Sequence, residues 1–518
     1  AKTYILDKGD YYLTAATDAH DAVNNIIAAK GYTPSNTSSR MDAEGNEGLV
    51  YKALTQNDTD TKTYSKSSET ENPITNQLDF ADVNKYEGSG DNSVTYVSRN
   101  NWTGTWPDST ITLSIATETM QADLQSVTDA SQVTYDNTGY SKPTYGASNG
   151  MTLVMLRSTE ETPVSYDDSL WDQLLDQTTF AEQALLITDG MHLTNGVTSV
   201  AKPQTGDNNG PTSVSGSVTG YCMPSEGIWA ATFNDELIER IGNLMGDDSI
   251  MAGVQGLYAP GVNIHRAPFC GRAHEYFSED PYLTGMAAVA EIKGIQDRGV
   301  IAYVKHVAFN ECETYRDGVG VWLNEQEARE IYLLPFEYSM RPSMGNAHAA
   351  MTSFNRAGCT WTSGSSNLLI NICRDEFGFD GFYITDMASG PGANYMTYYN
   401  GIMAGTCMYD GNGTDSALDG FKNDYQFCQM MREATHRILY VVCNFSAAMN
   451  GYSSNTKLIP VTPWWQSLLL ALEIIGIVLV VGSAACYVVA EVFKHRKPAG
   501  SGTDAAGDGS GDKPENKS

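Results

Sequence analysis

Three places in the sequence put titratable side chains where an element of structure should end. Asp386 follows the apolar run Gly381-Phe-Tyr-Ile-Thr385. A carboxylate projecting from a strand end reads either as a nucleophile or general base, or as the N-cap of the next helix. Lys305 and His306 close the run Val300–Val304. Successive strand residues point to opposite faces, so both can reach one ligand only if the strand ends there; otherwise the histidine is satisfied within the core or a loop. Arg272 lies in Cys270-Gly-Arg-Ala-His-Glu-Tyr-Phe-Ser-Glu-Asp-Pro281. That run is denser in Gly, Arg, His and Glu than a solvated turn normally is, with surface ion pairing as its alternative reading.

The elements that must position these groups follow from apolar spacing. From about Ser169 onward, helical patterns alternate with short apolar runs. Thr179-Phe-Ala-Glu182 is a capping box, and Asn234 caps a helix on which Leu237, Ile238, Ile241, Leu244 and Met245 keep helical spacing. The runs are Gly256–Ala259, Val300–Val304, Ala347–Thr352 and Phe382–Thr385. Each leads into polar residues, respectively Asn263 and His265, Lys305 and His306, Ser353 and Asn355, and Asp386. Strands alternating with helices predict βα units and a parallel sheet, of fold class α/β. Polar residues at successive strand ends predict a (β/α)8 TIM-type barrel with its site at the C-terminal face. A last helix is expected over about Phe421–Ser446.

The motifs also carry a resemblance. Ala259-Pro-Gly-Val-Asn-Ile-His-Arg-Ala-Pro-Phe-Cys-Gly-Arg-Ala-His-Glu-Tyr-Phe-Ser-Glu-Asp-Pro281, Val304-Lys-His-Val307, Glu325–Leu333, Met351-Thr-Ser-Phe-Asn355 and Gly378–Asp386 occur in the order in which glycoside hydrolase family 3, the β-glucosidase family, carries its signature. The resemblance spans about Trp171–Gly411 and implies a β-glycosidase that hydrolyses terminal β-linked sugars with retention, without metal or cofactor. Asp386 matches the family's nucleophile. Arg272, Lys305 and His306 match residues that hydrogen-bond the sugar, and Met351 and Phe354 fall in a substrate-binding motif. Asn209-Gly-Pro211 resembles an Asp-Gly-Pro whose Asp binds the sugar, with Asp207 as a substitute carboxylate. Met387 replaces a Trp, and Phe354 replaces a Tyr. The loop Val307–Asp317 lacks the His-Asp pair of the family's N-acetylglucosaminidase branch. That absence disfavours the branch, while the departures at Asn209, Phe354 and Met387 leave a non-catalytic, cell-surface glycan-binding protein of the same descent as the alternative.

Retaining hydrolysis needs a second carboxyl as acid/base, about 5–5.5 Å from the nucleophile. In the family it usually comes from an α/β-sandwich domain after the barrel; some members place the sandwich first. Gly9–Gly31 resembles the segment joining the two in those members. The expectation is therefore that the chain is the C-terminal part of a longer protein, with the sandwich domain and its acid/base upstream of Ala1.

Composition bounds the rest. The 518 residues hold 32 Lys+Arg against 62 Asp+Glu, a net charge of −30, which argues against nucleic acid as a partner. Nine cysteines without C-x-x-C spacing read as mostly buried free thiols. Leu468–Leu472 and Ile474–Ala490, interrupted only by Glu473, are long enough to span a bilayer, which takes about 20 apolar residues. Trp464 and Trp465 precede this segment and Lys494-His-Arg-Lys497 follows it, so the barrel is expected outside the cell, on a single-pass membrane anchor. The expected organisation is an auxiliary region over 1–165 with short strands (Tyr4–Asp7, Tyr11–Ala15, about Val94–Ser98 and Thr110–Ile115) and a helix from Asp18 to about Lys30, a barrel over 166–450, a linker over 451–466, a transmembrane helix over 467–493 and a disordered cytoplasmic tail over 494–518.

Overall fold

The computed structural model describes residues 3–37, 41–86, 94, 96, 116–125, 134–216, 218–388, 394–459 and 464–494. Ala1–Leu458 form one compact unit and Ile459–Ser518 another. The first unit opens with an antiparallel hairpin of β1 (Gly9–Thr14) and β2 (Val50–Gln56). Between them lies the helix Ala19–Ala29, N-capped by Asp18. The strand expected at Tyr4–Asp7 is reduced to a single bridge between Leu6 and Asp60. Strands expected at about Val94–Ser98 and Thr110–Ile115, and the expected tail after Lys494, lie outside the described residues, Val94 and Tyr96 apart.

Further strands follow in chain order: β3 (Leu193–Thr194), β4 (Thr205–Asn209), β5 (Gly256–Tyr258), β6 (Ile301–Val307), β7 (Gly320–Val321), β8 (Ala349–Thr352), β9 (Arg356–Ala357), β10 (Thr360–Trp361) and β11 (Phe382–Ile384). Six of them make the central sheet, in the order β11-β8-β6-β5-β4-β3. Every pairing is parallel except that of β3, which runs antiparallel to β4. Beyond β11, a parallel bridge joins Ile384 to Met408, and Tyr409 N donates to Ile187 O. Gly190 N then donates to Tyr409 O, and Asp207 N to His192 O, which carries the hydrogen bonding round to β4.

The ring is barrel-like, but eight regular strands are not found among the described residues. Cys407–Tyr409 lies between Gly405 and Gly411 and makes one bridge rather than a ladder. The Thr-Gly-Asp-Asn-Asn run of β4 is too polar to show as a strand in the sequence, and it holds its place by pairing on both sides.

Both faces of the sheet are buried, and the side chains sort by the two-residue period of a strand. Leu257, Ala302, Val304, Ala350 and Tyr383 pack in one apolar cluster with Ile238, Met245, Ile292 and Phe336. The alternating residues Tyr258, Ile301, Tyr303, Ala349, Met351, Phe382 and Ile384 pack in the other. Tyr303 stands edge-on to both Tyr258 and Phe382, at 5.1 and 5.4 Å between ring centroids. The helices start where their caps require. Thr179 Oγ1 accepts from Glu182 N, while Glu182 Oε2 accepts from Thr179 N at the head of Phe180–Thr188. Asn234 caps Asp235–Met251, and the last helix of this unit is Tyr425–Phe445.

All nine cysteines are free. Only Cys373, Cys407, Cys428 and Cys443 are buried, so the expectation of mostly buried thiols is corrected: the others lie in loops or on the exposed C-terminal helix, where no apolar neighbours enclose them. In the second unit, Trp464–Lys494 is a single 31-residue helix, long and apolar enough to cross a membrane.

The N-terminal segment is pinned to the sheet-bearing body by a buried ion cluster. Arg329 donates from Nη1 to Glu376 Oε2 (2.5 Å), from Nε to Glu325 Oε1 (2.6 Å) and from Nη2 to Thr75 O (2.9 Å). Glu325 in turn accepts from the backbone N–H groups of Gln77 and Leu78. Removing the cation leaves buried carboxylates unpaired, a cost of about 3–5 kcal/mol. Arg329→Met should therefore lower the urea midpoint and expose residues 63–81 to limited proteolysis before the rest of the unit. Unchanged stability and cleavage would contradict this account of the clamp.

Candidate functional site

The inner face of the sheet turns polar where the strands end. Asp386 continues the face of Phe382 and Ile384, and Lys305 continues that of Ile301 and Tyr303. Asp207 accepts from Tyr303 Oη (3.2 Å) and so shares this face, and Asp410 lies two residues beyond inward-packed Met408. His306 would face outward in a regular strand. The pairing of β6 with β8 slips between Lys305 and Val307, and the Lys305–His306 peptide is cis. His306 Nε2 lies 3.7 Å from Asp386 Oδ2.

Arg272, Lys305, His306 and Asp386 are thus brought together. Arg272 Nη1 is 3.9 Å from Asp386 Oδ2, while Lys305 Nζ is 3.2 Å from Glu275 Oε2. Arg272 Nε also pairs with Glu275 Oε1, so one carboxylate is shared by both cations. Asp386 is anchored through its backbone N–H to Thr352 O (3.0 Å), and its Oδ1 accepts from Met387 N (2.9 Å). Oδ2 is shielded from solvent without a hydrogen-bond partner, as is His306 Nε2. Burial raises the Asp386 carboxyl above its ordinary range, opposed by the charge of Arg272. Burial, with Arg272 and Lys305, holds His306 well below its ordinary value, so its ring is neutral. Asn310 Nδ2 donates to Tyr276 Oη (2.9 Å), which leaves the hydroxyl proton for His306 Nδ1 (3.2 Å). The imidazole proton then sits on Nε2, turned toward Asp386.

The other expected site residues are placed differently. Asp207 is buried, and its Oδ2 accepts from Thr194 as well as Tyr303; burial pushes its carboxyl up to about 6. Gly256 has no side chain for a reason: a Cβ there would lie 2.1 Å from Asp207 Oδ1. Asn209 is exposed at the mouth and bridges to Ser215 through its backbone. Met351 belongs to the apolar inner cluster. Phe354 is buried under Arg316, whose guanidinium lies 4.5 Å from the ring centroid, a cation–π contact. The small sheet of β7, β9 and β10 ties the Arg316 loop to the segment after β8.

Sequence reasoning did not single out Glu275, Tyr276, Arg316 or Asp410. The first two lie inside the dense Cys270–Pro281 run, and Arg316 lies in the Val307–Asp317 loop, which stood out only for the His-Asp pair it lacks. Asp410 was open to the strand-end rule that found Asp386, because it follows Cys407-Met-Tyr409.

With this geometry established, comparison with known proteins is decisive. Residues 206–402 match the model of the glycosyl hydrolase family 3 N-terminal domain. This part of the chain is thus similar to the N-terminal domain of glycosyl hydrolase family 3. A β-glucosidase of Rhizobium radiobacter is 37% identical over 222 residues, covering 42% of this chain and 27% of that protein. A β-glucosidase of Ruminococcus albus is 42% identical over 166 residues, covering 32% of this chain and 17% of that one. The matched part of the chain thus spans about a quarter or less of these relatives. A family 3 β-glucosidase structure from Bifidobacterium adolescentis superposes with a TM-score of 0.50 at 27% identity, over 55% of this chain and 42% of that one. A β-glucosidase from Paenibacillus barengoltzii shares the fold, with a TM-score of 0.53 at 24% identity over 68% and 38% of the two chains.

In the family 3 domain Glu275 carries the ion cluster. Burial alone would raise its carboxyl, but Lys305 and Arg272 bring it down to about 2, from an ordinary 4.5. A depressed folded-state pKa stabilises the fold at pH above about 4.5, and the contribution is lost as pH falls toward 2. The shift corresponds to about 3 kcal/mol. Glu275→Gln should therefore be less stable than wild type at neutral pH and should lose less of its stability between pH 5 and 2, measured by urea unfolding across that range. Parallel pH profiles for the two proteins would refute this role.

Proposed function

We propose that the chain carries the sugar-binding and nucleophilic half of a retaining β-glycosidase that cleaves terminal β-linked sugars. The observation that carries this reading is the solvent-shielded, unpartnered Asp386 Oδ2 facing Arg272 and His306 at the end of an inward-facing strand. Asp386 attacks the anomeric carbon as the aglycone leaves, giving a covalent glycosyl-enzyme that water later hydrolyses. Arg272 offsets the carboxylate's charge before attack. His306 Nε2–H and the ammonium of Lys305 donate to sugar hydroxyls, and Glu275 keeps both cations aimed. Protonation of the leaving oxygen falls to a second carboxyl group acting as acid/base. The family 3 relatives, several of them named β-glucosidases, support glycoside hydrolysis as the reaction class.

An aryl 2-fluoro-β-glucoside with an activated leaving group tests the nucleophile apart from the acid/base, because that leaving group needs no protonation. Mass spectrometry should find the fluoroglucosyl group on the peptide bearing Asp386, and Asp386→Asn should abolish labelling. A chain that binds the sugar without being labelled would instead be the glycan-binding form.

The helix Trp464–Lys494 supports a single-pass anchor with the domain outside the cell. The full chain should then require detergent for extraction, whereas residues 1–458 should be recovered in the aqueous phase. Recovery of the full chain without detergent would remove the anchor from this reading.

A further inference from the structure

Asp410 is a carboxyl of the inner face to which the proposed reaction gives no part. Its backbone is fixed on both sides of Asp386: Asp410 N donates to Thr385 Oγ1 (3.1 Å), and Ala388 N donates to Asp410 O (2.8 Å). Two residues earlier, Met408 bridges Ile384, and the Asp410 carboxyl lies close enough to Asp386, Asp207, Tyr258 and Tyr303 to interact with each by charge, so it shares the space of Asp386. The side chain is only 6% exposed, and its Oδ1 has no hydrogen-bond partner. No lysine or arginine pairs with it among the described residues. Burial, with the like charges of Asp386 and Asp207, pushes its carboxyl up to about 7, opposed by the His192 backbone N–H and more weakly by Lys305.

A buried carboxyl is costly, and the His192 backbone N–H and the charge of Lys305 compensate this one only in part, leaving Oδ1 without a partner. The other residues expected to bind the sugar here are less suited to the part. Asp207 Oδ2 is taken by Thr194 and Tyr303, and position 209 holds an exposed amide. A polyol such as a pyranose offers hydroxyl groups that a carboxyl can bind as acceptor or donor.

We infer that Asp410 is a substrate-binding residue, taking up one hydroxyl of the sugar held beside Asp386 and so helping to decide which sugar the site accepts. This rests on the glycosidase reading and adds to it a specificity-determining contact. The assignment is a direct contact, as distinct from an effect on Asp386 through charge alone, and the two differ in what they do to a series of deoxy sugars.

The test uses the full chain and its Asp410→Asn and Asp410→Ala variants, checked for folding by thermal unfolding. Equilibrium binding is measured for glucose and its 3-, 4- and 6-deoxy analogues, alongside the rate of labelling by the activated 2-fluoroglucoside. In the wild type, loss of the contacted hydroxyl should weaken binding about tenfold or more, equivalent to at least 1.4 kcal/mol. In both variants that one penalty should shrink to about twofold or less, while the penalties at the other positions persist. Identical deoxy penalties in wild type and variants would overturn the contact, and a uniform loss with a displaced pH profile of labelling would assign Asp410 to positioning instead. If the wild type binds none of the sugars, the glycosidase reading falls and the contact with it. If it binds them and the variants keep the wild-type pattern, only this inference falls.

Discussion

Everything in the family 3 domain depends on a parallel sheet that is covered on both faces. Such a sheet has no solvated side on which to place polar residues, so its strands are mostly apolar and, the polar β4 apart, charge gathers toward their ends. That confinement turns a run of short strands into a site. Lys305, Asp386 and Asp410 each sit one or two steps beyond an inward-packed apolar residue, and the ring geometry makes those steps converge. The inner tyrosines show the same constraint from below. Tyr303 fills the interior with its ring and reserves its hydroxyl for Asp207, so the floor of the site is closed by a side chain that is apolar over most of its surface.

Convergence alone would concentrate like charges in a buried space, and the arrangement of partners shows how this is avoided. Glu275 accepts from two cations, which fixes Lys305 and Arg272 without spending Asp386 on either. Asp386 therefore keeps an oxygen free while still feeling the guanidinium. Arg316 adds a further positive charge acting on Asp386 from across Phe354. The hydroxyl lost with a Phe at 354 is thus accompanied by a ring on which this arginine lies. The neutral state of His306 belongs to the same balance. A third cation beside Arg272 and Lys305 would be unfavourable, whereas a neutral imidazole with its proton on Nε2 donates at no charge cost.

Much of this was legible in the sequence because the responsible patterns are local. The apolar runs before Lys305 and Asp386, the Thr179 capping box and the dense Cys270–Pro281 segment each declare themselves within a dozen residues. What was not legible depended on pairing across the fold. β4 is polar in sequence and is a strand only because β3 and β5 flank it. The closing segment Cys407–Tyr409 is short and bounded by glycines, so the count of eight regular strands did not carry over. Asn209 and Asp207 lie on one strand, yet only the inner tyrosine decides that Asp207 is consumed in the core while Asn209 reaches the mouth. Half-exposed cysteines such as Cys270 and Cys312 likewise follow loop positions that no spacing rule predicts.

The net charge of −30 looks different once the site is drawn. If the acidic excess extended into the inner face, Asp386, Asp207 and Asp410 would repel an electron-rich substrate and one another. Instead, scarce basic residues are spent there: Arg272, Lys305 and Arg316 all act on Asp386. Another, Arg329, is buried in the ion cluster that holds the N-terminal segment. The acidic surplus is therefore left to positions where water screens it, such as Asp7, Asp10, Asp42 and Asp60, all on the N-terminal segment. A chain this acidic can hold a nearly balanced, buried charge cluster because exposed carboxylates cost little in water, while each buried one must be matched by a cation or held close to neutrality. That local balance, rather than the overall charge, is the electrostatic setting of Asp386.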